Sequence, residues 1–439
     1  MTTSTLTATG RRTRARFRVL ASNFTVLALN YADRAAFGVA APFIMAEFGF
    51  STATFGWLAA AFAFTYSPFG FIGGWLADRI GPRKTMAWAI AAWSTFVALT
   101  AVGFSFLSFL VIRLLFGAGE GPQATVTAKL MHNWFPAKER GMAVGVANAA
   151  TPLGGAVGTP LVVAIMAATN DNWRLPFIIF GALGILATVG WLVAVRDTPE
   201  DDPRASAAEV AHIRDGEGPA GGADAATTAP WWTYLRLPAV WSTAVAYFGY
   251  AWILWTFLNW FPTYLVQERG IDLTTLSIGG SLPWIGGCVG MIVGGVVTDR
   301  IAARTGRSYP ARRWTIVVCL AATAILFAFV GTVTSTAGAI GLMAVVILLL
   351  YFTGAQYWLV IGEAVPGQAY GSVSGAVQMF ATTASIIAPV LTGYLVDSSL
   401  GWTGTFALGG AVAVLGAALL AAFGRLRTAT AAVPSGAAA

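Results

Sequence analysis

Four ionisable side chains stand where an apolar chain tolerates them least. Asp33 and Arg34 lie inside one long apolar run, and Arg113 and Glu120 lie inside another. Each charge would cost roughly 2.5–3.5 kcal/mol at the centre of a bilayer. Four of them facing lipid would cost on the order of 10 kcal/mol, comparable to the net stability of a whole fold. They must therefore face protein or a watery cavity. The set is neutral overall: two carboxyls that can take up and give up a proton, and two guanidiniums that stay charged and fork onto a carboxylate. Such a set can trade its guanidiniums between its own acids and an incoming carboxylate, with protonation deciding the exchange. Arg113 and Glu120 are seven residues apart, two helical turns or about 10 Å along one face. The two runs are antiparallel, so a four-member network of Asp33, Arg34, Arg113 and Glu120 is expected.

The elements that position these residues follow from composition. Of 439 residues, 57% are apolar and only 10% charged, against about 25% charged in an ordinary soluble domain. Apolar stretches long enough to cross about 30 Å of hydrocarbon recur from end to end, and backbone satisfaction in lipid makes them helices. Twelve spans are predicted, at 18–45, 53–77, 84–104, 107–131, 141–167, 174–195, 239–266, 275–299, 313–333, 338–362, 371–396 and 403–424. The fold class is an all-α membrane protein of twelve transmembrane helices in two six-helix bundles, 18–196 and 239–424. A basic N-terminal tail (1–17), a polar linker (197–238) and a C-terminal tail (425–439) complete the chain. In the linker, "SAAE" at 206–209 is a capping signal for one short surface helix. "GAGEG" at 117–121 reads as mid-helix, its glycines permitting close packing.

Lysine and arginine set the orientation. With both termini in the cytoplasm, 22 of the 26 basic residues fall on the inner side, Arg174 and Arg269 on the outer side, and Arg34 and Arg113 within spans. This pattern assigns the net charge of +7 to membrane lipid and excludes nucleic acid as the partner. The expected location is a bacterial-type plasma membrane. Cys288 and Cys319 sit in apolar runs and form no disulfide framework. His132 and His212 have no companions at metal-ligand spacing. No nucleophile set, dinucleotide fingerprint or phosphate loop stands out, so the chain does not read as an enzyme, no cofactor or metal is expected, and ATP drive is absent.

The halves repeat. "GGWLADRI" (73–80) ends the second span and "GGVVTDRI" (294–301) ends the eighth; Pro160 answers Pro389, and "NWRLPF" (172–177) answers "GWTGTF" (401–406). Parallel six-helix repeats with binding between them are a transporter architecture. Gly74, Asp78, Arg79, Gly81, Arg83 and Lys84 fit G-x-x-x-D-R-x-G-x-R-K, and with the twelve spans the chain resembles the major facilitator superfamily. That resemblance implies a gating latch at Asp78, Arg79 and Arg83. The second copy keeps Asp299 and Arg300 as gating candidates but lacks the following glycine.

A narrower resemblance rests on "YADR" (31–34), Tyr66, "RLLFGAGEG" (113–121) and "NWFPTYLVQERG" (259–270). These are similar to the anion:cation symporter family, which includes bacterial sugar-acid transporters, aromatic-acid permeases and vesicular glutamate carriers. It implies that Arg34 and Tyr66 hold the substrate carboxylate, that Asp33 and Glu120 carry protons, and that Arg113 tunes them. Tyr31, Asn148, Tyr250, Asn259, Trp358, Gln378 and Thr382 complete the candidate substrate set. Trp358 matches a pocket tryptophan of the sugar-acid carriers, whereas Tyr250 and Thr382 stand where those carriers have amides. That departure points toward a less hydroxylated, aromatic acid and leaves the choice between the two classes open. The expected activity is proton-coupled uptake of an organic carboxylate by a monomer, with sodium an alternative coupling ion. A proton/drug antiporter and a non-transporting sensor are the alternatives. The first does not account for the two arginines, and the second leaves the charge set and latch without a task.

Overall fold

The computed structural model describes residues 12–214, 230–365 and 367–426. The remainder of both predicted tails (1–11, 427–439) and residues 215–229 of the linker lie outside the described residues. The first helix, α1 (Ala15–Phe48), stops where Gly49 turns left-handed at φ 65° and returns its amide to Met45. A glycine there avoids the Cβ clash that any other residue would meet. Next come α2 (Thr52–Ile80), capped by the Ser51 side chain, and α3 (Pro82–Thr100), with proline in its first turn. They are followed by α4 (Phe106–Glu120), opened by a Ser105/Ser108 capping box, and by α5 (Gln123–Trp134), α6 (Ala137–Ala167) and α7 (Arg174–Ala194). The linker forms the short helix α8 (Ala207–Arg214) and a 3-10 turn, Trp231–Arg236. The second half comprises α9 (Pro238–Gln267), α10 (Leu273–Thr305), α11 (Ser308–Phe329), α12 (Thr336–Phe352), α13 (Gln356–Ala364), α14 (Gly367–Thr382), α15 (Ala384–Val396) and α16 (Gly401–Phe423).

Each of the twelve predicted spans is helical. Three are divided: the fourth into α4 and α5 at Gly121–Pro122, the tenth into α12 and α13 at 353–355, and the eleventh into α14 and α15 at Thr383. The reading of "GAGEG" as mid-helix is thus corrected. Helix α4 ends at Glu120, close to Pro122, which has no amide for the ladder, although Pro152 and Pro160 are carried inside α6. The packing half of that reading stands: a Cβ on Gly121 would lie 2.5 Å from the Tyr66 carbonyl oxygen and 2.8 Å from the Phe69 side chain. Among the described residues, eight helical segments are long and apolar enough to cross a membrane on those grounds alone. Others, such as α1, carry the buried polar residues Asn23, Asn30, Asp33 and Arg34.

By backbone contacts the chain divides into two compact units, Met1–Ala226 with Leu265–Ser281, and Thr227–Tyr264 with Leu282–Ala439. In the first unit α1 packs closely on α6, where a Cβ on Gly158 would lie 2.6 Å from the Ala32 backbone. The start of α1 has no side-chain cap of its own. Glu209 of α8, fully buried, supplies one from 194 residues away by accepting the amides of Ala15 (3.0 Å) and Arg16 (3.3 Å). Thr13 and Ser206 exchange amide-to-hydroxyl bonds of 3.2 and 3.0 Å, and Asp202 accepts from Arg18 (2.7 Å) and Arg204 (2.8 Å).

The internal repeat extends to the way helix ends are closed. In the first unit the Arg83 guanidinium at the start of α3 donates to the Leu192 carbonyl near the end of α7 (Nε, 3.2 Å). In the second unit Arg313 at the start of α11 donates to Leu420 near the end of α16 (Nε, 3.1 Å). Each pair brings a guanidinium donor to a carbonyl of the last helical turn, and the Leu420 carbonyl takes the Gly424 amide as well, at 2.9 Å.

Candidate functional site

Arg34 is brought to Glu120. Its Nε donates to Glu120 Oε1 at 2.6 Å, and Nη2 reaches the same oxygen. The guanidinium side chain is 7% exposed and the carboxylate fully buried. Three rings surround the cation, with centroids of Tyr31, Phe62 and Tyr66 at 4.8, 5.0 and 5.1 Å from its central carbon. Cation–π attraction strengthens as such a site loses water. Glu120 is placed by the end of α4 and Arg34 by the middle of α1.

The expected four-member network is corrected to one ion pair with two separate neighbours. Arg113 lies two turns from Glu120 on the same helix and forms no ion pair with it. It rests 4.0 Å from the Phe37 ring, with Phe62 at 5.2 Å and Phe116 at 5.3 Å. Its Nε points to the Leu58 carbonyl at 3.4 Å. Phe62 is thus shared by both guanidiniums. Asp33 is 3% exposed and neither carboxyl oxygen has a hydrogen-bond partner among the described residues. Although Asp33 neighbours Arg34 in sequence, consecutive helical residues leave the axis about 100° apart, so Arg34 can reach Glu120 while Asp33 does not. Asn30, buried and beside Glu120, was missed in the sequence. Its signal was its position, three residues before Asp33 and therefore on the same face.

The other candidates fall into separate groups. Tyr247 gathers Tyr250, Tyr357 and Trp358 at ring-centroid distances of 5.5, 4.9 and 5.2 Å. Asn259 is buried and turns its amide back to the Trp255 carbonyl of its own helix at 2.9 Å. The Thr382 hydroxyl likewise donates to the Gln378 carbonyl at 2.7 Å. Gln378 is half-buried and Asn148 exposed on α6. Gln356, at the start of α13, is 1% exposed, and its Oε1 has no hydrogen-bond partner among the described residues.

The gating candidates make contacts within their own units. Asp78 pairs with Lys129 of α5, and the Arg79 guanidinium lies 4.1 Å from the Trp75 ring. Besides closing α7, Arg83 donates its amide to Asp197 Oδ1 at 2.7 Å. That carboxylate occupies the space a Cβ on Gly81 (φ +89°) would need. Asp299 pairs with Arg312 at 3.5 Å, Arg312 also meets Glu363 at 3.1 Å, and Arg300 is exposed.

Comparison with known proteins places these features among carriers. The profile of the Major Facilitator Superfamily matches residues 24–389. The chain is 38% identical over 388 residues to a hexuronate transporter of Bacillus subtilis (strain 168), covering 88% of this chain and 89% of that one. It is 32% identical over 410 residues to a probable sulfoacetate transporter of Cupriavidus necator, covering 93% of each. It is 30% identical over 415 residues to a D-galactonate transporter of Escherichia coli O6:H1, covering 92% of this chain and 94% of that one. Among solved structures, a bacterial homolog of the human lysosomal transporter Spinster, inward-facing and occupied, aligns with a TM-score of 0.73 at 17% identity over 95% of this chain and 98% of that one.

Proposed function

The chain belongs to the major facilitator superfamily, and from that premise we propose that it is a proton-coupled symporter importing a sugar acid of the hexuronate and aldonate class. The observation that carries the reading is the buried Arg34–Glu120 pair. Protonation of Glu120 from outside removes the negative charge holding Arg34, and the freed fork takes the substrate carboxylate beside Tyr31 and Tyr66. Loss of the proton to the cytoplasm restores Glu120 as the partner and expels the anion. Asp33 is the second acid in this exchange, and Arg113 fixes the local charge balance from its bed of rings. The acids named for the relatives all carry a terminal anion, which is the part Arg34 would hold. Within the second unit, the rings around Tyr247 offer a surface of their own to the apolar face of a sugar ring.

The remaining assignments follow the same reading. The bundles 18–196 and 239–424 alternate access to the site, Asp78, Arg79, Asp299 and Arg300 gate it, and both termini lie in the cytoplasm of a plasma-membrane protein. The test is uptake into proteoliposomes of D-glucuronate, D-galacturonate, D-galactonate, D-glucarate and benzoate, with a proton gradient or a sodium gradient imposed separately. Accumulation of a sugar acid driven by protons is expected. Arg34→Ala is expected to abolish binding, while Glu120→Gln keeps binding and exchange but loses accumulation. Proton-driven accumulation by Glu120→Gln would contradict the assignment, and accumulation only under a sodium gradient would change the coupling ion.

A further inference from the structure

A stripe of buried polar groups in the first unit extends well beyond the Arg34–Glu120 pair. Along α1, Arg16, Asn23 and Asn30 recur every seven residues and Asp33 follows, all on one face. From Arg16 to Asp33 the stripe runs about 25 Å along the helix. Asn23 and Asn30 are fully buried. Opposite them stand Glu120, Gln123 and Thr127, all under one-tenth exposed. The Thr127 hydroxyl donates to Asn23 Oδ1 at 3.0 Å, and Gln123 Nε2 reaches Thr127 Oγ1 at 3.4 Å. Several polar atoms along this line have no hydrogen-bond partner among the described residues: Asn23 Nδ2, both side-chain atoms of Asn30, both Asp33 oxygens and Glu120 Oε2. Buried polar atoms in folded proteins are normally satisfied. Water is the small species that can serve such a mixture of donors and acceptors, given two to four polar partners at each position. At the α1 N-terminal end the stripe meets partly exposed ionisable groups. Arg16 Nε lies 3.3 Å from Glu139 Oε2, and His212 Nε2 lies 3.1 Å from Glu139 Oε1.

We propose that this stripe is a water-lined path by which the proton carried by Asp33 and Glu120 leaves for the cytoplasm, inside the first unit and apart from the route of the substrate. The inference rests on the reading of those two acids as proton carriers. The O–H bond of the acid breaks toward a water held by Asn30, and the carboxylate left behind takes Arg34 back. The proton passes from water to water beside Thr127 and Asn23, and bulk water at the Glu139–His212 mouth receives it. The amides and the hydroxyl hold the waters in place and do not themselves titrate.

The path is tested in proteoliposomes with a pH-sensitive dye inside and D-glucuronate added outside, together with D-glucuronate counterflow and a D-glucuronate thermal shift. Thr127→Val removes the hydroxyl with little change of shape, Asn23→Leu removes the amide, and Thr127→Ser restores a hydroxyl. Expected for Thr127→Val and Asn23→Leu is substrate-driven acidification slowed about tenfold, the effect of ~1.4 kcal/mol on a barrier, with counterflow and thermal shift as in the wild type. Thr127→Ser is expected to acidify at the wild-type rate. Wild-type acidification by Thr127→Val would overturn the path and leave the symport reading intact. A loss of counterflow matching the loss of acidification, in both Thr127→Val and Thr127→Ser, would assign the stripe to packing and also overturn it. A wild-type protein that takes up D-glucuronate without acidification, or that takes up none of the four sugar acids named above, would defeat the symport reading and the path with it.

Discussion

At the scale of single residues, the partner of each buried charge decides what its removal does. Glu120→Gln leaves the Arg34 guanidinium buried beside a neutral amide, and breaking a buried pair on one side typically costs about 3–5 kcal/mol. The empty variant is expected to melt well below the wild type. Under the proposed exchange an added sugar acid would supply a carboxylate to the same fork, so its stabilising effect should be larger in Glu120→Gln than in the wild type. Asp33→Asn removes a carboxyl with no hydrogen-bond partner, so its melting temperature should match or exceed that of the wild type. Differential scanning fluorimetry with and without D-glucuronate checks both, and equal ligand shifts in Glu120→Gln and the wild type would contradict competition for Arg34. The identities of the four buried charges were legible in the sequence because charge is rare in an apolar run. Their pairing was not. Spacing places Arg113 and Glu120 on one face, but whether a guanidinium chooses an acid or a ring depends on what the neighbouring helix presents, here Phe37 of α1 and Phe62 of α2.

At the scale of elements, the twelve apolar runs could be read from length alone, since hydrocarbon thickness fixes how many residues a helix needs. The divisions at Gly121–Pro122 and 353–355 could not, because glycine and proline are tolerated in many membrane helices and only the packing decides where the ladder breaks. The "SAAE" signal did mark α8, and the Glu209 amide donates to Ser206 Oγ at 3.3 Å. That the same Glu209 also caps α1 depended on a contact 194 residues away, which no local pattern carries. The fastening of α8 to α1 has a pH signature through Asp202. Burial pushes the Asp202 carboxyl up, but the Arg204 hydrogen bonds and the charges of Arg18 and Arg204 more than offset this and hold it below its ordinary value. A carboxyl held low in the folded protein contributes stability above its unfolded value of about 3.9, and that contribution is lost as pH falls through the folded value. Asp202→Asn should therefore lower the melting temperature at pH 7, with the gap closing as pH drops below about 4. A gap of undiminished size at pH 3 would speak against this.

At the scale of the whole molecule, the repeated phrase "DRI" announced two related halves, and the matching closures Arg83–Leu192 and Arg313–Leu420 bear this out in three dimensions. Topology remains a chemical question with a direct answer. With Cys288 and Cys319 replaced by serine, an impermeant maleimide should label Asn172→Cys in intact cells but Asp201→Cys only after permeabilisation. The opposite pattern would invert the molecule and with it the assigned direction of proton exit. The closures also bear on the order of synthesis, because chains fold as units from the N-terminus while still being made. Every partner named for the start of α1 (Ser206, Glu209, Asp202) and for the end of α7 (Arg83) precedes residue 238 in the chain, where the second half's first helix begins. None of these closures therefore draws on a residue of the second half, whose helices are made after every segment that the closures join.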